Sequence, residues 1–178
     1  MSKILAIDTS TSRTSVAIIE AGSVLFNGFR DGATAHGPSL PALVKEALAI
    51  SEVDQVVVGM GPGPFTGLRV GIAFAQSFAL AREIPVRGVC SLDAIAAQIN
   101  EKDFIITVDA RRKEVYWARY TDGLRVGDPA VNFPADVSGA AIHADLFPDM
   151  QALVKLSGNF TEPIYLRRPD AVATADRP

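Results

Sequence analysis

The chain has 178 residues, 48% of them apolar and 21% charged, which is typical of a globular protein with one domain or two small lobes. Its 17 basic and 20 acidic residues give a formal charge of −3, which argues against a surface that grips nucleic acid through clustered lysine and arginine. The single cysteine excludes an internal disulfide bond. No apolar run reaches the roughly 18 residues of a membrane span, so we predict a cytoplasmic protein with no membrane contact.

The first half of the chain predicts strands followed by alternating helices and strands. Three short apolar segments joined by polar turns, residues 4–7, 15–19 and 23–30, indicate an antiparallel meander. From residue 38 the apolar spacing changes to that of a helix. The predicted elements are a helix over 38–49, a strand over 56–59, a helix capped by Thr66 that runs to about 82, a strand over 85–89, and a helix capped by Ser91 that ends near 99. Residues 1–100 are therefore predicted to form an α/β lobe of order β-β-β-α-β-α-β-α.

The second half opens in the same way as the first. A strand over 104–108 ends at Asp109, a polar turn follows, and a return strand covers 115–120. This repetition indicates a weak internal duplication with a boundary near residue 100. Residues 101–178 are predicted to form a second, abbreviated α/β lobe. Within it we expect a mostly irregular stretch with one short strand over 127–148, a helix over 150–156, a strand over 164–167 and a frayed tail over 169–178.

A glycine-rich segment over residues 59–71 lies between a predicted strand and a predicted helix. Backbone N–H groups in such a loop can bind an anion at the helix N-terminus. The segment has no lysine for a Walker loop, and Thr66 stands where a dinucleotide loop requires its third glycine. Two prolines remove further donors. We favour a rigid turn that lets the helix pack closely on the sheet, with an anion site as the alternative.

The helix after this loop is apolar on more sides than packing against one sheet requires. A stripe of small residues runs beside a stripe of large apolar residues, and no charge lies between Arg69 and Arg82. The small residues are Gly67, Gly71, Ala75 and Ala79, and the large ones are Val70, Phe74 and Phe78. A helix that is apolar over most of its circumference is buried on more than one side. Either a partner chain or the helices over 38–49 and 91–99 would supply the second cover, and the pattern does not choose between them.

Two aspartates are the candidates for nucleotide contact. Asp8 and Asp109 each end the first strand of one half, where folds built from two such halves place acids that hold a metal–phosphate or activate water. Thr9 and Ser10 follow Asp8 and complete the candidate nucleotide-binding set. Neither turn contains glycine, so the alternative is that each aspartate only closes its own turn.

Other catalytic chemistry is sparse. The two histidines, His36 and His143, lack metal-ligand spacing, and Cys90 has no histidine near it in sequence. No serine lies in a nucleophile elbow. We therefore predict no catalytic residue and no metal site.

Several motifs together resemble the bacterial TsaB (YeaZ) family, the non-catalytic paralogues of the tRNA threonylcarbamoyl-adenosine synthase subunit TsaD. They cover nearly the whole chain and fall in the family's order. The motifs are ILAIDTS from Ile4, HGPSLP from His36, GPGPFTGLRVG from Gly61, SLDA from Ser91, DARRKEVY from Asp109 and PIYLR from Pro163. The glycine-proline run that ends in FTGLR is highly specific.

The resemblance implies an actin/Hsp70/sugar-kinase-like (ASKHA) α/β fold of two lobes, here with a shortened second lobe. It also implies a scaffold that binds TsaD through the two long helices of the first lobe, in a complex that the ATPase TsaE joins. Such proteins also form homodimers through the same helices, and tRNA is reached only through the complex. The implied partner-interface residues are Leu40, Leu43, Ala47, Phe65, Gly67, Leu68, Gly71, Phe74, Ala75 and Phe78.

The chain departs from the family pattern between Tyr120 and Pro163, where it is shorter than typical members. The glycine-rich turn expected there is reduced to a Ser-Gly-Asn tripeptide at 157–159. We therefore expect no resident cofactor, and at most weak binding of ATP or ADP near the TsaD interface. Two other functions stay open: an ATP-dependent phosphotransferase built around Asp8, and a metallopeptidase, for which the sequence offers no ligand set.

Overall fold

A three-stranded meander opens the chain, and helices and strands then alternate. The computed structural model describes residues 2–166. The elements of the first lobe are β1 (Lys3–Asp8), β2 (Arg13–Glu20), β3 (Ser23–Asp31), α1 (His36–Leu48), β4 (Gln55–Gly59), α2 (Phe65–Ala81), β5 (Val86–Val89) and α3 (Ser91–Ala96). Their order is the predicted one.

The first sheet is covered by helices on both faces. Its strand order is β3-β2-β1-β4-β5, with β1, β2 and β3 antiparallel and β1, β4 and β5 parallel. One face, which includes Leu5 and Ile7, packs against α1 and α2. The opposite face includes Ala6 and Val57 and packs against α3 and a later helix. Because both faces are buried, β1 and β4 are continuous apolar runs rather than alternating ones.

The second sheet repeats the plan of the first with fewer helices. Its strands are β6 (Asp103–Asp109), β7 (Val115–Thr121), β8 (Leu124–Asn132) and β9 (Ala141–His143), in the order β8-β7-β6-β9. The first three form an antiparallel meander, and β9 pairs with β6 in parallel, as β4 pairs with β1. The duplication predicted from the sequence is therefore visible in the topology.

The chain returns to the first sheet after β9. Helix α4 (Met150–Lys155) buries Met150 and Leu153 against Ala6 and Ala17 of the first sheet. Beyond α4, the N–H of Phe160 donates to the carbonyl of Gly88 on β5. We expected residues 101–178 to form the second lobe, but α4 and the segment after it pack on the first sheet. Helix α3 joins the lobes, since Leu92 and Ile95 share a core with β6 and β7.

Several predicted boundaries are wrong. Helix α2 begins at Phe65 with Pro64 at the N-cap, so Thr66 lies inside the helix and caps nothing. Cys90 rather than Ser91 is the N-cap of α3, which ends at Ala96. Residues 124–132 form β8, although Gly127 and Pro129 had indicated irregular structure. Pro129 is tolerated because β8 is an edge strand.

The last predicted elements are placed only in part. Residues 164–166 have no regular secondary structure, so the strand predicted over 164–167 is not formed there. Residue 167 and the predicted frayed tail over 169–178 lie outside the described residues. Within residues 2–166, no helix combines the length and the apolar character that crossing a membrane requires.

Candidate functional site

The carboxylate of Asp8 is enclosed at the end of β1. Only 1% of the residue is exposed, and both oxygens accept hydrogen bonds from neighbouring groups. The N–H and the hydroxyl of Ser10 donate to Oδ1 at 2.9 and 2.8 Å, and the hydroxyl of Ser91 donates to Oδ2 at 2.6 Å. Burial raises the pKa of Asp8, and the hydrogen bonds from Ser91 and Ser10 oppose that rise. The geometry supports a structural role for this carboxylate, since no oxygen is left open to a ligand.

The glycine-rich segment lies directly over the Asp8 turn. A Cβ atom on Gly59 would lie 1.9 Å from Asp8 Oδ2, and one on Gly63 would lie 2.4 Å from the carbonyl oxygen of Ser10. The N–H of Gly61 donates to Ser91 Oγ at 3.2 Å. These glycines are therefore needed for close backbone approach inside the protein, in agreement with the favoured interpretation of a rigid turn.

Thr9 connects the Asp8 turn to helix α2. Its hydroxyl donates to the carbonyl of Gly67 at 2.8 Å and accepts from the N–H of Gly71 at 3.1 Å. His36, only 4% exposed, lies beside the same helix, 3.0 Å from where a Cβ on Gly67 would be. Its Nδ1 is 2.8 Å from the hydroxyl of Thr14, and burial lowers its pKa. The small stripe of α2 thus contacts this polar cluster.

Asp109 occupies a different environment from Asp8, although the topology relates them. Its side chain is exposed, its Oδ1 accepts from the N–H of Arg111 at 2.8 Å, and its Oδ2 pairs with the Arg111 guanidinium at 3.2 Å. Arg111, Arg112 and Lys113 all have positive φ angles, between 54° and 65°. The structure therefore separates the four predicted nucleotide residues into an enclosed group, Asp8, Thr9 and Ser10, and a solvent-facing Asp109.

A cleft lies where the turns after β1 and β6 face each other. Its volume is about 240 Å³, and its walls include Ser12 from the first turn, Asp109 and Arg111 from the second, and Asp145 and Phe147 from the segment before α4. The cleft reaches the Asp109 turn but not Asp8, whose contacts are closed. It is therefore an accessible concave surface to which both halves contribute.

Most of the predicted partner-interface residues are buried inside the first lobe. The side chains of Leu40, Leu43, Ala47, Leu68 and Ala75 belong to the core under the sheet, because the apolar stripe of an amphipathic helix faces the sheet it covers. Gly67 and Gly71 lie against the turn after β1 instead. The buried residues are Leu40, Leu43, Ala47, Gly67, Leu68, Gly71 and Ala75, and the half-buried ones are Phe65, Phe74 and Phe78. Only the three phenylalanines present side-chain surface to a partner directly.

The opposite side of these helices defines what we name the α1–α2 outer face. Its exposed members are Pro38, Pro41, Ala42, Lys45 and Glu46 on α1 and Thr66, Arg69, Ala73, Gln76, Ser77 and Leu80 on α2. Leu80 is 81% exposed. The rings of Phe74 and Phe78 stack at 6.1 Å beneath this face. Along α2 the face has one charge, Arg69, whose guanidinium lies 3.8 Å from the ring centre of Phe65.

Sequence reasoning missed two residues that shape these sites. Ser91 follows Asp8 by 83 positions and binds it directly. Tyr165 lies 96 positions from Arg69, accepts a 3.0 Å hydrogen bond from its Nε, and packs on Phe65 at 4.9 Å. Both pairs are distant in the chain, so local spacing could not connect them.

Metal-ligating and nucleophilic groups are scattered. Among residues 2–166, no three histidine, cysteine or acidic side chains are grouped so as to hold a metal ion. Burial raises the pKa of Cys90 to about 12, which keeps the thiol protonated. Arg125 contacts its sulfur at 3.1 Å.

The architecture is the expected α/β fold of two related lobes around a cleft. A protein of Pseudomonas aeruginosa described as similar to peptidase YEAZ superposes with a TM-score of 0.79 at 28% identity, over 94% of this chain and 100% of that one. YeaZ from the same organism gives a TM-score of 0.75 at 29% identity, over 88% of this chain and 91% of that one.

The sequence comparisons agree with the structural ones. The family TsaD, tRNA N6-adenosine threonylcarbamoyltransferase, matches residues 31–171. An uncharacterized protein of Mycobacterium tuberculosis is 44% identical over 201 residues, covering 96% of this chain and 94% of that protein. The tRNA threonylcarbamoyladenosine biosynthesis protein TsaB of Escherichia coli is 36% identical over 66% of this chain and 54% of its own length. The chain belongs to the TsaB/YeaZ family.

Proposed function

We propose that this chain is a non-catalytic scaffold of a complex that makes tRNA threonylcarbamoyladenosine, and that it binds and activates a TsaD-type catalytic subunit. Relatives from four bacteria, at 31–36% identity, are named as TsaB proteins of that biosynthesis. Because this chain itself matches the TsaD family, a TsaD-type partner would have a related fold. Binding through the α1–α2 outer face is the central part of the proposal.

The observation that carries this proposal is the composition of the outer face along α2. Between Arg69 and Arg82 the exposed residues carry no charge; they are Ala73, Gln76, Ser77, Leu80 and Ala81. Solvent-exposed helix faces normally carry charged side chains, whereas the centres of protein interfaces are depleted of them. The stacked phenylalanines beneath supply the apolar area that a partner would cover.

The enclosed Asp8 supports a scaffold rather than a phosphotransferase. A catalytic carboxylate must come within hydrogen-bond reach of the group it acts on. Asp8 already accepts three hydrogen bonds and is 1% exposed. An ATP-dependent phosphotransferase built around Asp8 would require Ser91 and the glycine-rich segment to move away.

The remaining parts of the assembly follow from the same proposal. A TsaE-type ATPase would join the pair, and tRNA would be bound by the assembled complex rather than by this acidic chain. Homodimers would use the same face as the TsaD-type subunit, so the two forms would compete. The net charge of −3 does not favour a nucleic-acid surface on this chain. The contact proposed for it is therefore with a TsaD-type protein.

The test introduces charge on the outer face without touching the core. Ala73→Glu and Ser77→Glu place carboxylates at exposed positions of α2 and should abolish a complex with the TsaD-type subunit of the same source in size-exclusion chromatography with light scattering. Ala135→Glu, an exposed position in the 3-10 turn of the second lobe, is the matched control and should leave the complex intact. Unchanged binding by both α2 variants, with unchanged melting temperature, would refute the proposed interface.

A further inference from the structure

The cleft between the lobes lacks the features that bind a nucleoside triphosphate. Phosphate sites of this kind use glycine-rich turns whose backbone N–H groups approach the anion. Here the turn that follows β1 has no glycine, and its Asp8 is enclosed by Ser10 and Ser91. Gly63, the nearest glycine of the loop above, is in contact with the Ser10 backbone instead. The ATP that the fold class would suggest therefore does not fit the residues present.

The charge balance of the cleft is also unfavourable for phosphate. Among residues 2–166, the one cation that lines the cleft is Arg111, which is paired with Asp109 at 3.2 Å. Asp145 adds a second carboxylate to the wall. Within residues 2–166 this carboxylate has neither an ion-pair nor a hydrogen-bond partner. An anionic ligand would meet net negative charge, whereas a hydrogen-bond donor would meet a free acceptor.

An aromatic ring in the same wall is held rigidly from behind. The guanidinium of Arg13 lies 3.8 Å from the ring centre of Phe147 and 4.0 Å from that of Phe29, so it is stacked between two rings. Asp31 fixes the guanidinium through two hydrogen bonds of 2.7 and 3.2 Å. The Phe147 carbonyl is bound by the side-chain amide of Gln98 at 2.8 Å. A ring fixed in this way is a preorganised stacking surface for a planar ligand.

We propose that this cleft binds a small planar molecule that carries an amino group and is neutral or positively charged, and that it discriminates against phosphate-bearing ligands. Phe147 supplies the stacking surface, the carboxylate of Asp145 accepts from the amino group, and Arg13 acts as a positioning residue behind the ring. The cleft of about 240 Å³ limits the ligand to roughly the size of a nucleoside. This site is separate from the α1–α2 outer face and does not depend on the proposed partner.

The first experiment compares adenosine, inosine and magnesium-free ATP by isothermal titration calorimetry against the full chain, up to about 5 mM ligand. Adenosine and ATP share one ring system and differ in phosphate charge, and inosine replaces the amino group of adenosine by a carbonyl. Adenosine should bind most tightly, inosine more weakly, and ATP most weakly, with the penalty for ATP largest at low salt. Tighter binding of ATP than of adenosine, or no binding of adenosine, would overturn the proposal.

Variants then locate the binding. Phe147→Ala should weaken adenosine roughly ten-fold, because a base–aromatic stack is lost, and Phe147→Tyr should retain the affinity. Asp145→Asn should remove the preference for adenosine over inosine, and its backbone at φ 57° suits asparagine as well as aspartate. Asp128→Asn, an exposed change on β8, is the matched control. If adenosine binds all variants equally, its site lies elsewhere and the assignment of the cleft is wrong.

The role of Arg13 is tested by rescue. Arg13→Gln should weaken adenosine by releasing Phe147, while Arg13→Lys, which keeps a cation over the rings, should restore part of the affinity. Complex formation with the TsaD-type subunit should be unchanged in all cleft variants. A failed partner assay together with intact adenosine binding would therefore count against the proposed function alone, and the reverse result would count against the cleft alone.

Discussion

The hydroxyl of Thr9 accepts a 3.1 Å hydrogen bond from the backbone N–H of Gly71. The same hydroxyl donates to the carbonyl of Gly67, one helical turn earlier. In a regular helix the N–H at position 71 would bond the carbonyl at position 67 directly, so Thr9 bridges this pair. The turn after β1 and the first half of α2 are thereby fixed to each other, and glycine at both helical positions leaves room for the contact.

Gly71→Ala should destabilise the protein because the new Cβ would lie 2.3 Å from the Thr9 hydroxyl. Alanine is the better helix former by about 1 kcal/mol, but overpacking in a closed core costs about 1–3 kcal/mol and should outweigh that gain. We expect a lower free energy of unfolding in urea titrations. Gly37→Ala is the control, since its Cβ would meet no atom within 4 Å on α1.

The same contact can be isolated by a double-mutant cycle. Thr9→Ala removes the hydroxyl that the alanine at position 71 would strike, so the double variant should be more stable than the sum of the two single effects predicts. Contacts of this kind commonly couple by about 0.5–3 kcal/mol. Strict additivity of the two changes would show that α2 relaxes away from the turn instead of meeting Thr9.

His36 should make stability fall in mild acid. Burial lowers its pKa below the unfolded value of 6.5, so the unfolded chain binds the proton more readily. The stabilisation is present above pH 6.5 and is lost as the pH falls through the lowered pKa of the folded state. Wild-type protein should therefore lose more free energy of unfolding between pH 7.5 and 5 than His36→Gln, as measured by guanidinium titration at each pH.

The opposing group in this cluster is Asp8. Its pKa is raised by burial, so its contribution is full below the unfolded value of 3.8 and is lost as the pH rises through the folded value. Wild type and His36→Gln both retain Asp8, so their comparison removes the burial part of its effect, whereas the electrostatic interaction between Asp8 and His36 is lost in the variant. An equal pH response in His36→Gln and wild type would contradict the assignment.

Strand and helix order could be predicted from the sequence because apolar period and turn chemistry act locally. The buried apolar runs of β1 and β4 predicted two strands of the first sheet. The helical spacing of α1 predicted a helix that covers it. Strand β8 was missed because Gly127 and Pro129 usually interrupt strands, and only its position at a sheet edge makes them acceptable.

The candidate site was less predictable, because its contacts join distant parts of the chain. The stripe of Gly67, Gly71 and Ala75 indicated close approach, but whether a partner or the chain itself would approach depended on where Thr9 lies in space. Likewise, Phe147 could be proposed as a stacking surface only once Arg13 is found against it, 134 positions earlier in the chain. Pairings of this kind require the tertiary fold.

Arg87 should hold α4 and the segment after it on the first lobe. Its guanidinium donates to the carbonyls of Val154 at 2.9 Å, Gly158 at 3.1 Å and Leu156. Hydrogen bonds to charged groups contribute about 1.5–3 kcal/mol each, and partial exposure of these three to water reduces their sum. Arg87→Ala should increase amide exchange over 150–164 and lower stability by about 2 kcal/mol or more.

A surface arginine provides the comparison. Arg30 pairs with Glu46 at 2.9 Å, and both side chains are about half exposed. Pairs of that type contribute at most about 1 kcal/mol, so Arg30→Ala should leave exchange over 150–164 unchanged. Equal effects of the two substitutions would mean that α4 is held by its apolar contacts alone.

Cys90 should resist thiol reagents as long as the protein is folded. It is 1% exposed, and burial raises its pKa to about 12, so at pH 8 almost no thiolate is present to react. Native protein mixed with Ellman's reagent should react only at the rate at which the region around α3 opens, and urea should make the reaction fast and complete. An exposed cysteine introduced by Ala135→Cys in a Cys90→Ala background is the positive control and should react at once. Rapid labelling of Cys90 in the native protein would show that the core shared by α3, β6 and β7 opens readily, and that the two lobes are joined less firmly than these contacts indicate.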